Sequence, residues 1–202
     1  MTEPAIRPAA TVVLWRDHPG GHQVLMGMRG AAAVFMPSKY VFPGGGVDAD
    51  DAGGGETALS GQCRHRLTLH CAPDAPGPGP LCAAAGRELT EETGLSLTEA
   101  RPGALRFIFR AITPPGRSRR FDARFFLASA ASVTGDTEGF SAASTELSHL
   151  HWIGLGAARA LDLPFITEVV LAEVGAILAG HDQPGVPFFD NSGPVPTFRR
   201  LD

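Results

Sequence analysis

The sequence predicts an α/β fold in which a mixed β-sheet carries helices on both faces. Short apolar or alternating segments of strand length recur along the chain, and segments with helical spacing of apolar residues lie between them. With 202 residues, of which 44% are hydrophobic, the chain can bury a sizeable core as a single domain, residues 1–202.

The predicted elements follow one another at short intervals. Residues 9–15 and 23–28 flank a glycine-rich turn and predict a β-hairpin. Residues 40–42 predict a brief strand, and residues 56–70 predict a helix. The later elements are predicted strands at 106–112, 121–129 and 149–153, and predicted helices at 155–161 and 167–178.

Three glutamates cluster within the segment Arg87-Glu88-Leu89-Thr90-Glu91-Glu92-Thr93. In a helix, Glu88, Glu91 and Glu92 share one stripe, where like charges repel. A hard divalent cation, Mg²⁺ or Mn²⁺, would offset that repulsion, whereas the alternative is a solvated acidic face. The opposite face is small and apolar, as docking on a sheet requires; it comprises Cys82, Ala85, Gly86 and Leu89, and Gly94 ends the helix.

A glycine turn precedes this helix in the sequence. Residues 42–48 read Phe-Pro-Gly-Gly-Gly-Val-Asp. The bare backbone at Gly44 and Gly45 can approach a ligand closely or offer carbonyl oxygens to a metal. Turn and helix together can therefore enclose one cation.

Gly45 and residues 87–95 resemble the Nudix box of the Nudix hydrolases. The second half of the box matches the family pattern Arg-Glu-apolar-x-Glu-Glu-x-Gly-apolar at every specified position, with Leu89 and Gly94 in its structural positions. In the first half, Asp51 stands where the pattern has glutamate, and Glu56 is a rival for that place. More residues separate Asp51 from Arg87 than the family pattern has between these positions, which indicates an insertion within the box, at about residues 52–79. The resemblance implies an α/β/α sandwich.

The interrupted box resembles one branch of the family, the peroxisomal-type coenzyme A diphosphatases and their bacterial relatives. Segments around 121–128, 146–152 and 161–167 extend the resemblance, which covers about residues 9–180. Arg29 falls on the first of two arginines that precede the box in the coenzyme A subset. Val34 occupies the place of the second arginine, and Ser38 occupies a glycine position.

The resemblance also implies roles for the box residues. Glu88, Glu91 and Glu92 would hold the metal, with a carbonyl of Gly44 or Gly45 completing the shell. Arg87 would point away from the acidic cluster and tie the helix to Asp51 or Glu56, in a positioning role. The general base would be a box glutamate or an acid on a later loop, Glu146 or Glu138.

Four residues outside the box are predicted to contact substrate: Arg29, Phe42, Arg120 and Arg124. The last two belong to a basic patch with Arg117 and Arg119, which is either a phosphate clamp or a solvated strand edge. Aromatic side chains at Phe35, Phe42 and Trp152 either stack on a nucleobase or belong to the core.

Two segments have compositions typical of loops. The insertion begins with Gly53-Gly54-Gly55 and ends in a Pro/Gly-rich stretch at 73–80, so we expect it outside the core, as a substrate-selecting flap or a surface excursion. The tail, about residues 182–202, contains four prolines and three phenylalanines. It either wraps the domain or packs on a second subunit, and a homodimer is common among the relatives that the resemblance implies.

Composition excludes several other classes of function. A net charge of −4 argues against a general nucleic-acid surface, and no segment approaches the ~20 apolar residues of a membrane span. We therefore expect a cytoplasmic protein. Three cysteines argue against a disulfide framework. The spacing of Cys63, His65, His70 and Cys71 matches no common zinc pattern, so reduced thiols are expected.

These observations predict a Nudix pyrophosphohydrolase that cleaves the diphosphate linkage of a nucleoside diphosphate derivative with Mg²⁺ or Mn²⁺. Coenzyme A or acyl-CoA leads the predicted substrates, and ADP-ribose, NADH and nucleotide sugars are the alternatives. A Nudix module that binds nucleotides without cleaving them is a different class. The complete set of Glu88, Glu91 and Glu92 argues against that class, because binding alone does not require all three.

Overall fold

The computed structural model describes residues 3–98 and 102–202. Residues 1–2 and 99–101 of the predicted domain lie outside the described ranges. The described part forms one mixed sheet of nine strands, a separate two-stranded ribbon and four α-helices.

The strands are numbered in chain order. They are β1 (Ile6–Arg16), β2 (Gln23–Arg29), β3 (Tyr40–Val41), β4 (Gly44–Gly46), β5 (Ser96–Leu97), β6 (Arg106–Ile112), β7 (Arg120–Ser129), β8 (Val133–Thr134), β9 (Leu147–Gly154), β10 (Val186–Asp190) and β11 (Thr197–Leu201). The helices are α1 (Gly61–Thr68), α2 (Pro78–Thr93), α3 (Leu155–Ala158) and α4 (Phe165–Leu178), with single 3₁₀ turns at Glu56–Ala58 and Ala130–Ser132.

The main sheet runs in the order β11-β10-β6-β7-β1-β2-β3, and β4 and β9 pair with β1 and β2 outside this path. Strand β1 lies parallel to β7 over ten residue pairs, from Ile6 opposite Arg120 to Trp15 opposite Ser129. The predicted hairpin β1–β2 is present, and β6 also pairs antiparallel with β7. The short ribbon pairs β5 with β8.

Alternation along β1 divides the core into two clusters, because successive side chains of a strand point to opposite faces. Val12 and Leu14 belong to the cluster beneath α1 and α2, whereas Val13 belongs to the cluster beneath α3 and α4. Helix α2 contributes Leu81 and Leu89 to the first cluster, and α4 contributes Val170 and Val174 to the second. The α/β/α sandwich expected from the sequence is confirmed.

The insertion differs from its prediction. In place of one helix over 56–70, it contains a 3₁₀ turn and then α1, which begins after Ser60, whose hydroxyl accepts a hydrogen bond from the N–H of Cys63 at 3.1 Å. Leu59 and Leu67 are 1% and 2% exposed and belong to the first core cluster. The expectation that the insertion lies outside the core is therefore wrong, because its α1 covers part of the sheet.

The tail wraps its own domain. Strand β10 pairs parallel with β6, and β11 pairs antiparallel with β10, so the tail extends the sheet by two strands. Val186, Phe188 and Leu201 are each at most 1% exposed. Helix α3 ends three residues before its predicted end, and α4 begins two residues before its predicted start. Within the described ranges, no helix combines the length and apolarity that crossing a membrane requires.

Candidate active site

The glycine turn brings backbone against both β1 and α2. Gly44 has a φ of 156°, and a Cβ there would lie 2.5 Å from the carbonyl oxygen of Ala10. A Cβ on Gly45 would collide with the carboxylate of Glu88. Only glycine lets the chain pass so close, so the acidic side chains of α2 face bare backbone.

Glu92 is the most enclosed carboxylate of α2, at 1% exposed. Its Oε2 accepts a hydrogen bond from the backbone N–H of Gly44 at 2.8 Å. Its Oε1 is buried and has no hydrogen-bond partner among the described residues. Burial, helped by the negative charges of Glu88 and Glu146, raises the pKa of Glu92 to about 8. The side chain thus presents one unsatisfied oxygen and a carboxyl group that only a nearby cation would keep ionised.

Glu88 and Glu91 share the guanidinium of Arg87. Nη1 of Arg87 donates to Glu88 at 2.9 Å and to Glu91 at 3.2 Å. The side chain of Glu88 is 13% exposed, and burial raises its pKa although Arg87 opposes the shift. Glu91 is the outermost of the three, at 56% exposed.

Arg87 therefore does not point away from the acidic cluster, and that expectation is wrong. Its long side chain reaches both sides of the box at once. Nε and Nη2 donate to Asp51 at 3.1 and 2.9 Å, and Nη2 also donates to the carbonyl of Gly46 at 2.9 Å. In addition to tying the helix to the front of the box, the guanidinium supplies positive charge to two of the acids.

Asp51, not Glu56, is the partner of Arg87. It is 7% exposed, and the bidentate hydrogen bonds from Arg87 hold its pKa below the usual range. Its Oδ2 also accepts from the N–H of Asp48 at 2.8 Å, which closes the turn after β4. Glu56 is exposed on the 3₁₀ turn of the insertion.

Part of this cluster lines a large cleft of about 1110 Å³, whereas Asp51 and Glu92 are not in its lining. Its lining includes the glycine turn, Arg87, Glu88, Glu91, Arg29 and Glu146. The floor comes from β1, β6 and β7, and the residues between β2 and β3 form another wall. The apolar part of the lining includes Val34, Phe35, Met36, Val41, Leu163 and Phe165.

Solved structures share this architecture. A NUDIX hydrolase from Alicyclobacillus acidocaldarius is 26% identical, with a TM-score of 0.63 over 87% of this chain and 92% of that one. The NUDIX domain of Shewanella oneidensis NrtR, crystallised with ADP ribose, is 15% identical, with a TM-score of 0.53 over 86% of this chain and 89% of that one. A Caenorhabditis elegans Ap4A hydrolase is 18% identical, with a TM-score of 0.51 over 87% and 99% of the two chains.

The chain has the Nudix hydrolase fold. The sequence itself matches no protein-family model and no curated protein. The likeness to the Alicyclobacillus protein supports a Nudix hydrolase, and the structures of lower identity support the fold alone.

The donor set of this Nudix site fits a hard divalent cation. Among residues 3–98 and 102–202, no three Asp, Glu, His or Cys side chains already converge as a metal site. The buried, unpartnered Oε1 of Glu92 and the Glu88 carboxylate against Gly45 are nevertheless oxygen donors of the kind that Mg²⁺ and Mn²⁺ prefer. Within the same ranges, Cys63, His65, His70 and Cys71 do not form such a group of three.

The two loop acids are placed differently. Glu146 lines the cleft, accepts a hydrogen bond from Arg29 Nη2 at 3.3 Å, and acts electrostatically on Glu88 and Glu92. Glu138 pairs with Arg16 and does not line the cleft. The geometry therefore favours Glu146 over Glu138 as the acid near the reacting groups.

Arg120 and Arg124 do not line the cleft, so the prediction that they contact substrate is wrong. Arg124 is 1% exposed and pairs with Asp122 at 2.9 Å. Arg120 is 4% exposed and donates to the carbonyls of Thr113 and Asn191 at 3.0 and 2.6 Å. Both guanidiniums are bound by protein groups because β7 is an interior strand with neighbours on both sides.

Of the three aromatic candidates, two line the cleft. Phe35 packs edge-on against Phe121, with ring centroids 5.2 Å apart, and Phe42 lines the cleft although it is 3% exposed and belongs to the second core cluster. Trp152 packs on the first core cluster and donates its indole N–H to the carbonyl of Thr137 at 2.7 Å. Trp152 is thus a structural residue.

Sequence reasoning missed two charged residues of the site. Arg7 lines the cleft, and its Nη2 lies 3.8 Å from where a Cβ on Gly46 would stand. Asp48 lies 3.6 Å from Nη2 of Arg87. Only the pairing of β4 with β1 brings Arg7 to the turn, so no local pattern in the sequence indicates it.

Proposed function

We propose that this protein is a metal-dependent hydrolase of the diphosphate linkage in nucleoside diphosphate derivatives, with coenzyme A or acyl-CoA as the leading substrate. The observation that carries the proposal is the pair of carboxylates held against bare glycine backbone: Glu88, which is partly buried and lines the large cleft, and Glu92, which is buried and bonded to Gly44. Buried acids without enough protein cations are the arrangement expected where a cation and a phosphate chain meet.

Glu88, Glu91 and Glu92 would hold Mg²⁺ or Mn²⁺, with a carbonyl of Gly44 or Gly45. Such a cation, when bound, withdraws negative charge from diphosphate oxygens and orients a water molecule. Arg87 holds α2 and the turn in register through Asp51 and the carbonyl of Gly46. That geometry matters because metal ligands displaced by a fraction of an ångström lose much of their effect.

Glu146 is proposed as the general base. Its carboxylate lines the cleft beside the box acids, and Arg29 orients it. A carboxylate within reach of a water molecule removes the proton that the attacking oxygen must lose. Arg29 would also face substrate phosphate, since its side chain lines the same wall.

The cleft has features that coenzyme A can use. Its volume of about 1110 Å³ exceeds what a mononucleotide needs, and its lining combines cations with an apolar wall. A nucleotide with a long, weakly polar arm would bury that arm against Val34, Met36 and Phe165. ADP-ribose, NADH and nucleotide sugars are the alternatives within the same chemistry.

The test is hydrolysis of a diphosphate panel by purified protein with Mg²⁺ or Mn²⁺. The panel contains coenzyme A, acetyl-CoA, ADP-ribose, NADH and UDP-glucose, and products are identified by mass spectrometry in ¹⁸O-labelled water. Coenzyme A should yield adenosine 3′,5′-bisphosphate and 4′-phosphopantetheine, with label in one product. Preference for ADP-ribose would overturn the coenzyme A assignment.

A Nudix module that binds without cleaving makes the opposite prediction. It would hold nucleotides tightly and release no product from any substrate. A double variant, Glu88→Gln with Glu92→Gln, separates the two outcomes, because an enzyme loses turnover in this variant whereas a pure binding module has no turnover to lose.

A further inference from the structure

Two arginines on one loop of the cleft have no protein partner among the described residues. Arg117 and Arg119 line it from the loop between β6 and β7, and neither forms an ion pair or a side-chain hydrogen bond with residues 3–98 or 102–202. By contrast, three of the four arginines on β6 and β7, Arg110, Arg120 and Arg124, bind carboxylates, and the fourth, Arg106, donates to the side chain of Gln183. The free pair therefore has its hydrogen-bonding capacity available to a ligand.

This loop does not protect the edge of a sheet. Charged residues often blunt exposed edge strands, but β6 lies between β10 and β7, and β7 lies between β6 and β1. The need to discourage sheet pairing thus does not explain Arg117 and Arg119. Their place on the cleft is the remaining structural feature that they share.

The loop is tethered over the cleft. The hydroxyl of Ser118, between the two arginines, donates to the carbonyl of Val34 at 3.1 Å. Phe121, which follows the loop, packs edge-on against Phe35 at 5.2 Å. Both contacts join the loop to the cleft wall between β2 and β3. The backbone that carries the two guanidiniums is therefore held in place.

The loop lies away from the proposed metal end. Arg120 at the start of β7 is level with Ile6 on β1, whereas the glycine turn pairs with Ala9, Ala10 and Thr11 on the other side of β1. Two strand spacings, about 10 Å, therefore separate the loop from the turn across the sheet, with a further offset along the strands. The two phosphates of one diphosphate share a bridging oxygen and cannot occupy both places.

We propose that Arg117 and Arg119 form a subsite for a phosphate monoester of the ligand, separate from the diphosphate that is cleaved. The subsite rests on the proposed function, because the diphosphate must lie at the glycine turn for the second phosphate to reach the loop. Planar guanidiniums bind phosphate with paired, charge-assisted hydrogen bonds. The monoester is either a ribose 3′-phosphate, as in coenzyme A, or a ribose 2′-phosphate, as in NADPH.

The test uses two ligand pairs that each differ by one phosphate: coenzyme A with 3′-dephospho-coenzyme A, and NADPH with NADH. Dissociation constants are measured by calorimetry on the full chain in EDTA, where no metal-dependent turnover consumes the ligand. We expect the phosphate to strengthen binding about 10-fold in one pair. The pair that shows the effect identifies which ribose phosphate is bound.

The variant Arg117→Gln with Arg119→Gln should reduce that preference to about 2-fold or less while leaving the affinity for the dephosphorylated ligand nearly unchanged. The matched control is Arg64→Gln with Arg159→Gln, which removes the same charge from exposed positions outside the cleft lining. The control should retain the preference, because only net charge has changed.

Equal affinities within both pairs would overturn the subsite, and so would a preference that survives in the Arg117/Arg119 variant. Hydrolysis is measured separately with Mn²⁺. If both coenzyme A and 3′-dephospho-coenzyme A are cleaved, and the protein binds them with equal affinity, the subsite is rejected and the proposed function stands. Absence of cleavage with the phosphate preference intact would reject the hydrolase and retain the subsite.

Discussion

The buried carboxylates at the two ends of the Nudix box have opposite environments and opposite pKa shifts. At the front, Asp51 is buried with bidentate hydrogen bonds from Arg87, and its pKa is lowered. On α2, Glu92 is buried with one backbone hydrogen bond and one bare oxygen, and its pKa is raised to about 8. The difference teaches that a buried acid with its own protein cation stabilises the fold, whereas one without it destabilises the fold near neutral pH, which is the cost that our proposed metal ion would offset.

The largest effect is expected for Glu92→Gln. Loss of this ligand should reduce kcat by about 10³-fold, since metal-assisted charge stabilisation supplies several kcal/mol. The same variant should raise the free energy of unfolding of metal-free protein near neutral pH by about 1–3 kcal/mol, because the amide, unlike the Glu92 carboxylate, does not have to take up a proton when it is buried on folding. Steady-state kinetics and urea titration in EDTA measure the two effects. Glu56→Gln, at an exposed position, is the control and should change neither.

The variant Glu146→Gln tests whether the general base lies near Glu92, the buried carboxylate that has no protein cation of its own. We expect kcat to fall about 10²-fold with metal affinity nearly unchanged, since the residue would move a proton and not hold the metal. The pH profile of kcat should lose its lower limb. Glu138→Gln is the matched control, because Glu138 pairs with Arg16 away from the cleft. A larger loss in the control would reassign the base.

The variant Asp51→Asn tests the front of the box, where the charge of the buried carboxylate is balanced by Arg87. Removing the carboxylate leaves Arg87 without its bidentate partner and should lower the free energy of unfolding by about 2 kcal/mol at pH 7. Because folding lowers the pKa of Asp51, its contribution is present above the ordinary value of 3.8 and is lost as pH falls through the lowered pKa. The gap between wild type and variant should therefore close in acid. Asp48→Asn, whose side chain is 61% exposed, should cost much less.

The smallest expected effect is a pH-dependent shift of the melting temperature by Mg²⁺ or Mn²⁺. Since folding raises the pKa of Glu92, this group destabilises the metal-free protein progressively as pH rises from about 4.5 to about 8. A cation that binds the ionised carboxylate should restore stability by a few kelvin, more at pH 8 than at pH 5.5. A shift of equal size at both pH values, or one that persists in Glu92→Gln, would contradict the assignment.

The sequence predicted those features that depend on local spacing. Helical periodicity places Glu88, Glu91 and Glu92 together, and hydrophobic patterns locate most strands and both long helices. The pairing of Asp51 with Arg87 follows from the box resemblance, which also left Glu56 open. These predictions succeed because each depends on residues within one element or on one motif.

Features that depend on pairing between distant strands could not be predicted in this way. Whether Arg124 faces a cleft or a core depends on the register of β7 against β1 and on the presence of β10 beyond β6. The insertion and the tail have loop-like compositions, yet Leu67 and Phe188 are buried by tertiary contacts. The reach of Arg87 into the acidic cluster depends on a rotamer, which sequence spacing does not fix.

The insertion and the tail also touch each other. The guanidinium of Arg66 on α1 donates to the carbonyl of Pro184, and Nδ1 of His70 lies 3.3 Å from Nη1 of Arg199 on β11. Each segment thus supplies hydrogen-bond partners to the other. Deleting one of them alone would leave polar groups of the other without these partners, so we expect a shortened protein to stay folded more readily when it lacks both.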